Sequence, residues 1–133
     1  MDKYLFPAIF EPRETKGYTV TFPDLPGCIT EGDSLEETLL MAKEALELHL
    51  YGMEEDGDPI PSPASPEKIV VSTGAFVTII EAWMKLIRDE MADKAVKKTL
   101  TIPKWLNDLA VKNHLNFSHV LQSALKDHLG LRE

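Results

Sequence analysis

The chain opens on a period of two. Tyr4, Phe6, Ala8 and Phe10 fall on one side of an extended segment and Leu5, Pro7 and Ile9 on the other, which predicts a strand over residues 4–10. The polar residues 11–17 form a turn. Tyr18, Val20 and Phe22 then alternate with Thr19 and Thr21, predicting a half-buried strand that makes a hairpin with the first. In Pro23-Asp24-Leu25-Pro26-Gly27, two prolines fix φ and a glycine permits positive φ, so the connection is tight. A third short strand is expected at residues 28–32.

The period then becomes helical. Ser34, with Glu37 three residues on, is a capping box. Leu35, Leu39, Ala42, Leu46 and Leu50 recur at spacings of four and three, widened by Met41, Ala45 and Leu48, and predict one apolar stripe toward a sheet. Glu36, Lys43, Glu44 and Glu47 fall on or near the outer side. Pro59, Pro61, Pro63 and Pro66 exclude a helix or a central strand over residues 56–66, which read as a stiff loop. Apolar runs at 69–72 and 75–80 are expected to complete the sheet. Residues 84–96 are charged and helix-compatible, and the pattern leaves a short helix and a hinge both open. The resulting division is a first domain over 1–83, a linker over 84–96 and a second domain over 97–133, α+β overall.

The second domain begins with a strand at 97–103. Leu100 and Ile102 share one face, and Lys97, Thr99 and Thr101 share the other. A lone strand has no local partner for its backbone N–H and C=O groups, and the simplest partner is the same strand of a second copy. Two such strands form an antiparallel ribbon, which fits the major groove of B-DNA. Burying Leu100 and Ile102 presents Lys97, Thr99 and Thr101 to base edges, while Lys98 extends from the inner face toward a phosphate. Pro103 suits the first turn of a helix over 104–115, whose inward residues are Leu106, Leu109, Ala110 and Leu115. A second helix over 118–129 is expected to start at Ser118 as its N-cap and to bury Val120, Leu121, Ala124, Leu125 and Leu129, with Gly130 closing it. The open amides at its start, beside Asn116, Ser118 and His119, form a phosphate clamp to which Lys104 adds a contact. Leu100, Ile102, Leu106, Leu109, Val120, Leu121 and Leu125 make up the expected dimer core.

Charge divides along the same line. Residues 94–133 carry seven Lys and Arg against three Asp and Glu, whereas residues 1–93 carry seven against nineteen. A basic tail suits a polyanion; an acidic body suits a basic protein or serves solubility alone. The 133 residues hold one ordinary domain or two small ones, and no apolar run approaches the roughly 20 residues needed to cross a bilayer. With a single cysteine, Cys28, and no apolar leader, a cytoplasmic setting in a bacterium or archaeon is expected.

The strand–Pro–helix–turn–helix order of residues 97–129 resembles the ribbon-helix-helix (β-α-α) repressors, and that resemblance implies an intertwined dimer on operator DNA. It assigns base reading to Lys97, Thr99 and Thr101 and the phosphate contact to the amides near Ser118. The run Gly17-Tyr18-Thr19-Val20-Thr21-Phe22-Pro23-Asp24-Leu25-Pro26-Gly27-Cys28, followed by the Gly32-Asp33-Ser34 helix start, is similar to the signature of the HicB antitoxin family. This second resemblance implies a partial ribonuclease-H-like β-β-β-α-β(β) body. It also implies a partner, HicA, a small mRNA-degrading toxin, and assemblies with it that go beyond a dimer. The outer acids Glu36, Glu44 and Glu47 are the candidate toxin contacts. Together these imply an antitoxin and autorepressor, not an enzyme, with no cofactor and no metal. The rival readings are a regulator whose body senses a small molecule and a metal-dependent nuclease using Asp24, Glu31 and Asp33. Asp24 and Asp33 are otherwise explained by turn and pre-cap positions, Cys28 has no base beside it, and no His has metal-ligand spacing with Cys28.

Overall fold

The computed structural model describes residues 1–131. It divides into two compact units, Met1–Lys94 and Ala95–Glu133. The first is built from strands β1 (Lys3–Pro12), β2 (Tyr18–Thr21) and β3 (Ile29–Gly32), helix α1 (Leu35–Asp56), strand β4 (Phe76–Trp83) and helix α2 (Met84–Asp93). The second holds helices α3 (Lys104–Lys112) and α4 (Phe117–His128). The fold is α+β, with one antiparallel sheet in the order β3-β2-β1-β4.

The period-two pattern does what it predicts. Phe6, Ala8 and Phe10 of β1, Val20 of β2, and Ile80 and Ala82 of β4 are buried on one face of the sheet, against Ala42, Leu46 and Leu50 of α1. Pro7 is tolerated inside β1 because β2 pairs only with Ile9–Pro12, so at Pro7 the strand has a neighbour on the β4 side alone.

The glycines and the Ser34 cap explain the motif that ends the hairpin. A Cβ on Gly32 would lie 2.5 Å from Thr38 Oγ1 and 2.7 Å from the Thr38 backbone nitrogen, so only glycine lets α1 start this close to the end of β3. Gly17, at φ +72°, passes equally close to the Gly32 carbonyl and Asp33. Ser34 Oγ accepts from the Glu37 N–H at 3.1 Å, and the Thr38 hydroxyl donates back to the Ser34 carbonyl. Thr38 is therefore buried without an unmet polar group, and it takes the core position at the top of α1. This corrects the expected stripe. Leu35 and Leu39 stay 46% and 40% exposed, because the close Gly32 contact rotates Thr38 into the sheet in their place.

Two further expectations are corrected. The run at 69–72 forms no strand; it follows a 3-10 turn, Pro66–Lys68, and its Val70 is 93% exposed. Ile69, Val70 and Val71 are consecutive, so a strand there could bury only part of the set. The body does not end at residue 83. Chain 84–93 continues straight from β4 as α2, with Met84 fully buried and Ile87 packed on the core. Arg88 ties this helix down: its guanidinium donates to both Glu54 carboxylate oxygens at 3.0 and 2.6 Å and to Asp2 Oδ1 at 2.8 Å. Residues 97–103, expected to pair with a second copy, are neither strand nor helix in the single chain, and the sheet's four strands all precede them. A strand needs a neighbour, and among the described residues of the second unit none is paired with this segment.

Two outcomes are expected. Gly32→Ala should lower stability by about 1–3 kcal/mol, read from denaturant melting, because backbone atoms and not a flexible tip meet the new methyl. Arg88→Ala should speed amide exchange in α2 selectively. The guanidinium holds the Glu54 carboxyl below the usual carboxylate range, so its contribution is complete above the unfolded-state value and is lost as pH falls through the lowered folded one. The exchange difference between wild type and variant should therefore shrink on acidification.

Candidate functional site

The second unit is the more unusual surface. Two short helices and an irregular arm hold many apolar side chains and bury almost none of them. Ala110 is the one described residue of this unit classed as buried, while Leu100, Ile102, Leu106, Phe117 and Val120 are each 40–57% exposed. They are not scattered. Lys98, Leu100 and Ile102 of the arm, Leu106 and Ala110 of α3, Leu115 of the turn, and Phe117, Val120, Leu121 and Ala124 of α4 line one open groove. Of the expected dimer core, Leu100, Ile102, Leu106, Val120 and Leu121 lie in this groove; Leu109 and Leu125 stand outside its lining at 52% exposure each. Phe117 belongs to the groove, although its position in the sequence marks it only as part of a helix start. Being the only Phe, Tyr or Trp after Trp105 was the available signal.

The α3–α4 turn is built from local hydrogen bonds. Asn113 caps α3, and its side-chain amide donates to the Leu109 carbonyl at 2.8 Å. His114 follows at φ +55°, a left-handed conformation that histidine tolerates better than most residues. The N-cap of α4 is Asn116, not Ser118: Asn116 Oδ1 accepts from the His119 N–H at 3.0 Å. The cap thus lies two residues earlier than expected, and the helix begins at Phe117. The amides of Phe117 and Ser118 precede the first intrahelical acceptor and stay available to an outside one. Gly130, at φ +75°, ends the unit's last helix as expected.

Lys97, Lys98, Thr99 and Thr101 are all exposed on the arm. Lys104 pairs with Asp108 at 2.7 Å, but both side chains are largely in solvent, so the pair is worth at most about 1 kcal/mol and can be exchanged for another anion.

In the first unit, the carboxylates named for a nuclease are engaged separately. Asp24 accepts from the Ala64 N–H at 3.0 Å and so holds the proline-rich loop. Glu31 and Asp33 face Arg13 at 3.9 and 3.2 Å, and Asp33 also faces Lys16. Among the described residues no group of three or more His, Cys, Asp and Glu could hold a metal ion. Cys28 is buried beside the Ala45 carbonyl, and burial pushes its thiol up to about 11, so at neutral pH it is a thiol and not a thiolate. Of the acids proposed for a partner, Glu36 and Glu44 are exposed. Glu47 is occupied. It pairs with Lys43 at 3.0 Å and accepts from the Trp83 N–H at 2.8 Å, while Lys43 donates to the Glu81 carbonyl at 3.0 Å. The two side chains cap the free edge of β4, which would otherwise offer unpaired backbone groups to another strand. No helix among the described residues is long and apolar enough to cross a membrane.

Replacing Asn116 with Ala should cost about 1 kcal/mol of stability, read by thermal melting, whereas Ser118→Ala should be close to neutral. The reverse order would assign the cap to Ser118.

Known proteins share this layout. Residues 6–124 match the family described as HicB_like antitoxin of bacterial toxin-antitoxin system. An uncharacterized protein from the rep-hol intergenic region of Haemophilus phage HP1 is 33% identical over 102 residues, covering 77% of this chain and 75% of the relative. Antitoxin HicB 1 of Photorhabdus laumondii is 36% identical over 100 residues, covering 70% of this chain and 64% of the relative. Among solved structures, a chain of a toxin–antitoxin complex from Streptococcus pneumoniae superposes with a TM-score of 0.61 at 28% identity, over 95% of this chain and 99% of that one. The antitoxin HicB of Burkholderia pseudomallei shares the fold, with a TM-score of 0.54 at 20% identity over 95% and 96% of the two chains. A match that spans both units, from the first strand into the last helix, makes this chain a member of the HicB-like antitoxin family of bacterial toxin–antitoxin systems.

Proposed function

We propose that the protein neutralises a HicA-type, mRNA-degrading toxin by direct binding through its first unit, and represses its own gene pair through a dimeric second unit. The toxin half is supported by family membership and by the likeness to a chain of a toxin–antitoxin complex over nearly its full length. The acidic body fits such a partner. A protein that binds RNA must present positive charge, and an acidic surface is steered to it and competes with its substrate.

One observation carries the DNA half: the open apolar groove of the second unit. A unit of about 40 residues seldom folds alone without a second source of burial. Each Leu, Ile or Val moved fully out of water contributes about 1.5–3 kcal/mol. A second copy supplies both missing parts. Its helices cover the groove, and its arm pairs with residues 97–103, which then become strands of an antiparallel ribbon. This is the ribbon-helix-helix arrangement. In it Leu100 and Ile102 turn inward with Leu106, Val120 and Leu121, and Lys97, Thr99 and Thr101 project from the ribbon into a major groove. Lys98, Lys104 and the free amides at Phe117 and Ser118, beside Asn116 and His119, hold the flanking phosphates. The same reading takes the body as a partial ribonuclease-H-like domain working as a binding surface, without catalysis or cofactor, in the cytoplasm. With toxin bound, the dimer can grow into a larger assembly.

Thr99→Ala with Thr101→Ala should weaken operator binding by about 1–3 kcal/mol per lost base contact while leaving nonspecific binding intact, measured by mobility shift at fixed salt. Lys104→Ala should lower affinity for all sequences and flatten the dependence on salt. An unchanged operator preference in the threonine variant would remove the base-reading role from that face. Sedimentation of the full chain as a monomer would remove the dimer.

A further inference from the structure

Helix α1 is apolar on two opposite sides. Its buried row is Thr38, Ala42, Leu46 and Leu50. The row offset by two residues, Leu40, Glu44, Leu48, Gly52 and Asp56, lies about 200° around the axis, facing away from the sheet. Leu40 is 66% and Leu48 43% exposed, and no element of the first unit covers them. A helix that only had to pack on this sheet would carry polar residues along that row.

Gly52 makes the same point independently. A glycine inside a helix costs roughly 0.5–1 kcal/mol relative to alanine. Here a Cβ would meet nothing within 4 Å, and the backbone is not left-handed, so the fold itself has no need of glycine at this position. What the missing side chain preserves is open space. Gly52 and Leu48 line a cleft with Leu25, Pro26 and Met53, rimmed by Asp24, Asp56 and Asp58. Bare leucines beside a gap in the ridge, bordered by carboxylates, form a seat for a protein element that is apolar at its tip and basic at its edges.

We infer that this outward row of α1, centred on Leu48 and Gly52, is the surface on which the toxin docks, with the toxin's basic residues meeting Glu44, Asp56 and Asp58. The inference rests on the antitoxin reading given above and narrows it to one face. Charge selects the occupant: α1 carries seven carboxylates against the single Lys43. A second uncovered apolar area, the outer face of the sheet around Leu5, Ile79 and Trp83, carries Lys3 on the Trp83 ring and a Lys3–Glu81 pair, and has no such bias. The surface differs from the one expected from the sequence. Glu44 is retained, Glu47 is used up at the edge of β4, and the anchors are apolar.

Full-length variants titrated calorimetrically with the HicA-type toxin of the same gene pair test it, with thermal melting as the check on folding. Leu48→Arg and Gly52→Trp should each weaken the complex roughly tenfold or more. Gly52→Ala should melt at a higher temperature and weaken the complex less than Gly52→Trp does, and Ile79→Arg on the sheet face should leave binding unchanged. Absence of a complex with the wild-type chain would sink the antitoxin reading, and this surface with it. A wild-type complex that folded Leu48→Arg and Gly52→Trp variants match in affinity would overturn the surface alone.

Discussion

A core that cannot be closed by one copy of the chain governs the second unit. Its two helices are too short, and its arm too irregular, to cover Leu100, Ile102, Leu106, Leu115, Phe117 and Val120. Water against that many apolar side chains is a standing cost, and the arm's backbone groups are unpaired for the same reason. On the proposed reading one event removes both penalties. The arm becomes a strand only when its twin arrives, and only then do Lys97, Thr99 and Thr101 acquire a fixed direction. Folding, dimerisation and presentation of the base-reading side chains are then a single step.

The first unit obeys the opposite logic, since it closes its own core completely. The residues that carry the family resemblance turn out to be structural. Gly17 and Gly32 allow close backbone approach, Ser34 caps α1, Thr38 fills the corner beneath, and Gly27 at φ +89° completes the turn that returns the chain to β3. Such a motif identifies the fold reliably but says little about where a partner sits. The information on binding lies in positions the fold does not need: the leucines on the wrong side of α1 and a glycine with nothing above it.

On the proposed reading, the two functions are separable on one chain. Variants on the outer row of α1 should leave the arm untouched, and variants on the arm should leave the sheet untouched. Coupling between toxin occupancy and repression then has to pass through assembly, with toxin changing how copies associate, or through residues 94–103 that join the units.

What the sequence by itself determined was local. Alternation at Tyr4, Phe6, Ala8 and Phe10 specified a strand and its buried face, because side chains in extended backbone must alternate. Ser34 and Glu37 located the start of α1 to the residue, because a cap acts within one turn. The charge imbalance and the two helices after residue 103 were equally plain in the residue string. Tertiary structure decided everything that depends on partners far along the chain. Arg88 reaches Asp2 and Glu54, across 86 and 34 positions, and so fixes as a helix a segment whose pattern left helix and hinge both open. Gly32 brings Thr38 inward over Leu39, and Glu47 is spent on the Trp83 amide 36 residues away. Even the choice of Asn116 over Ser118 as cap depends on where the preceding turn delivers the chain. Periodicity records which way a side chain faces along its own element, but not which surface will be there to meet it.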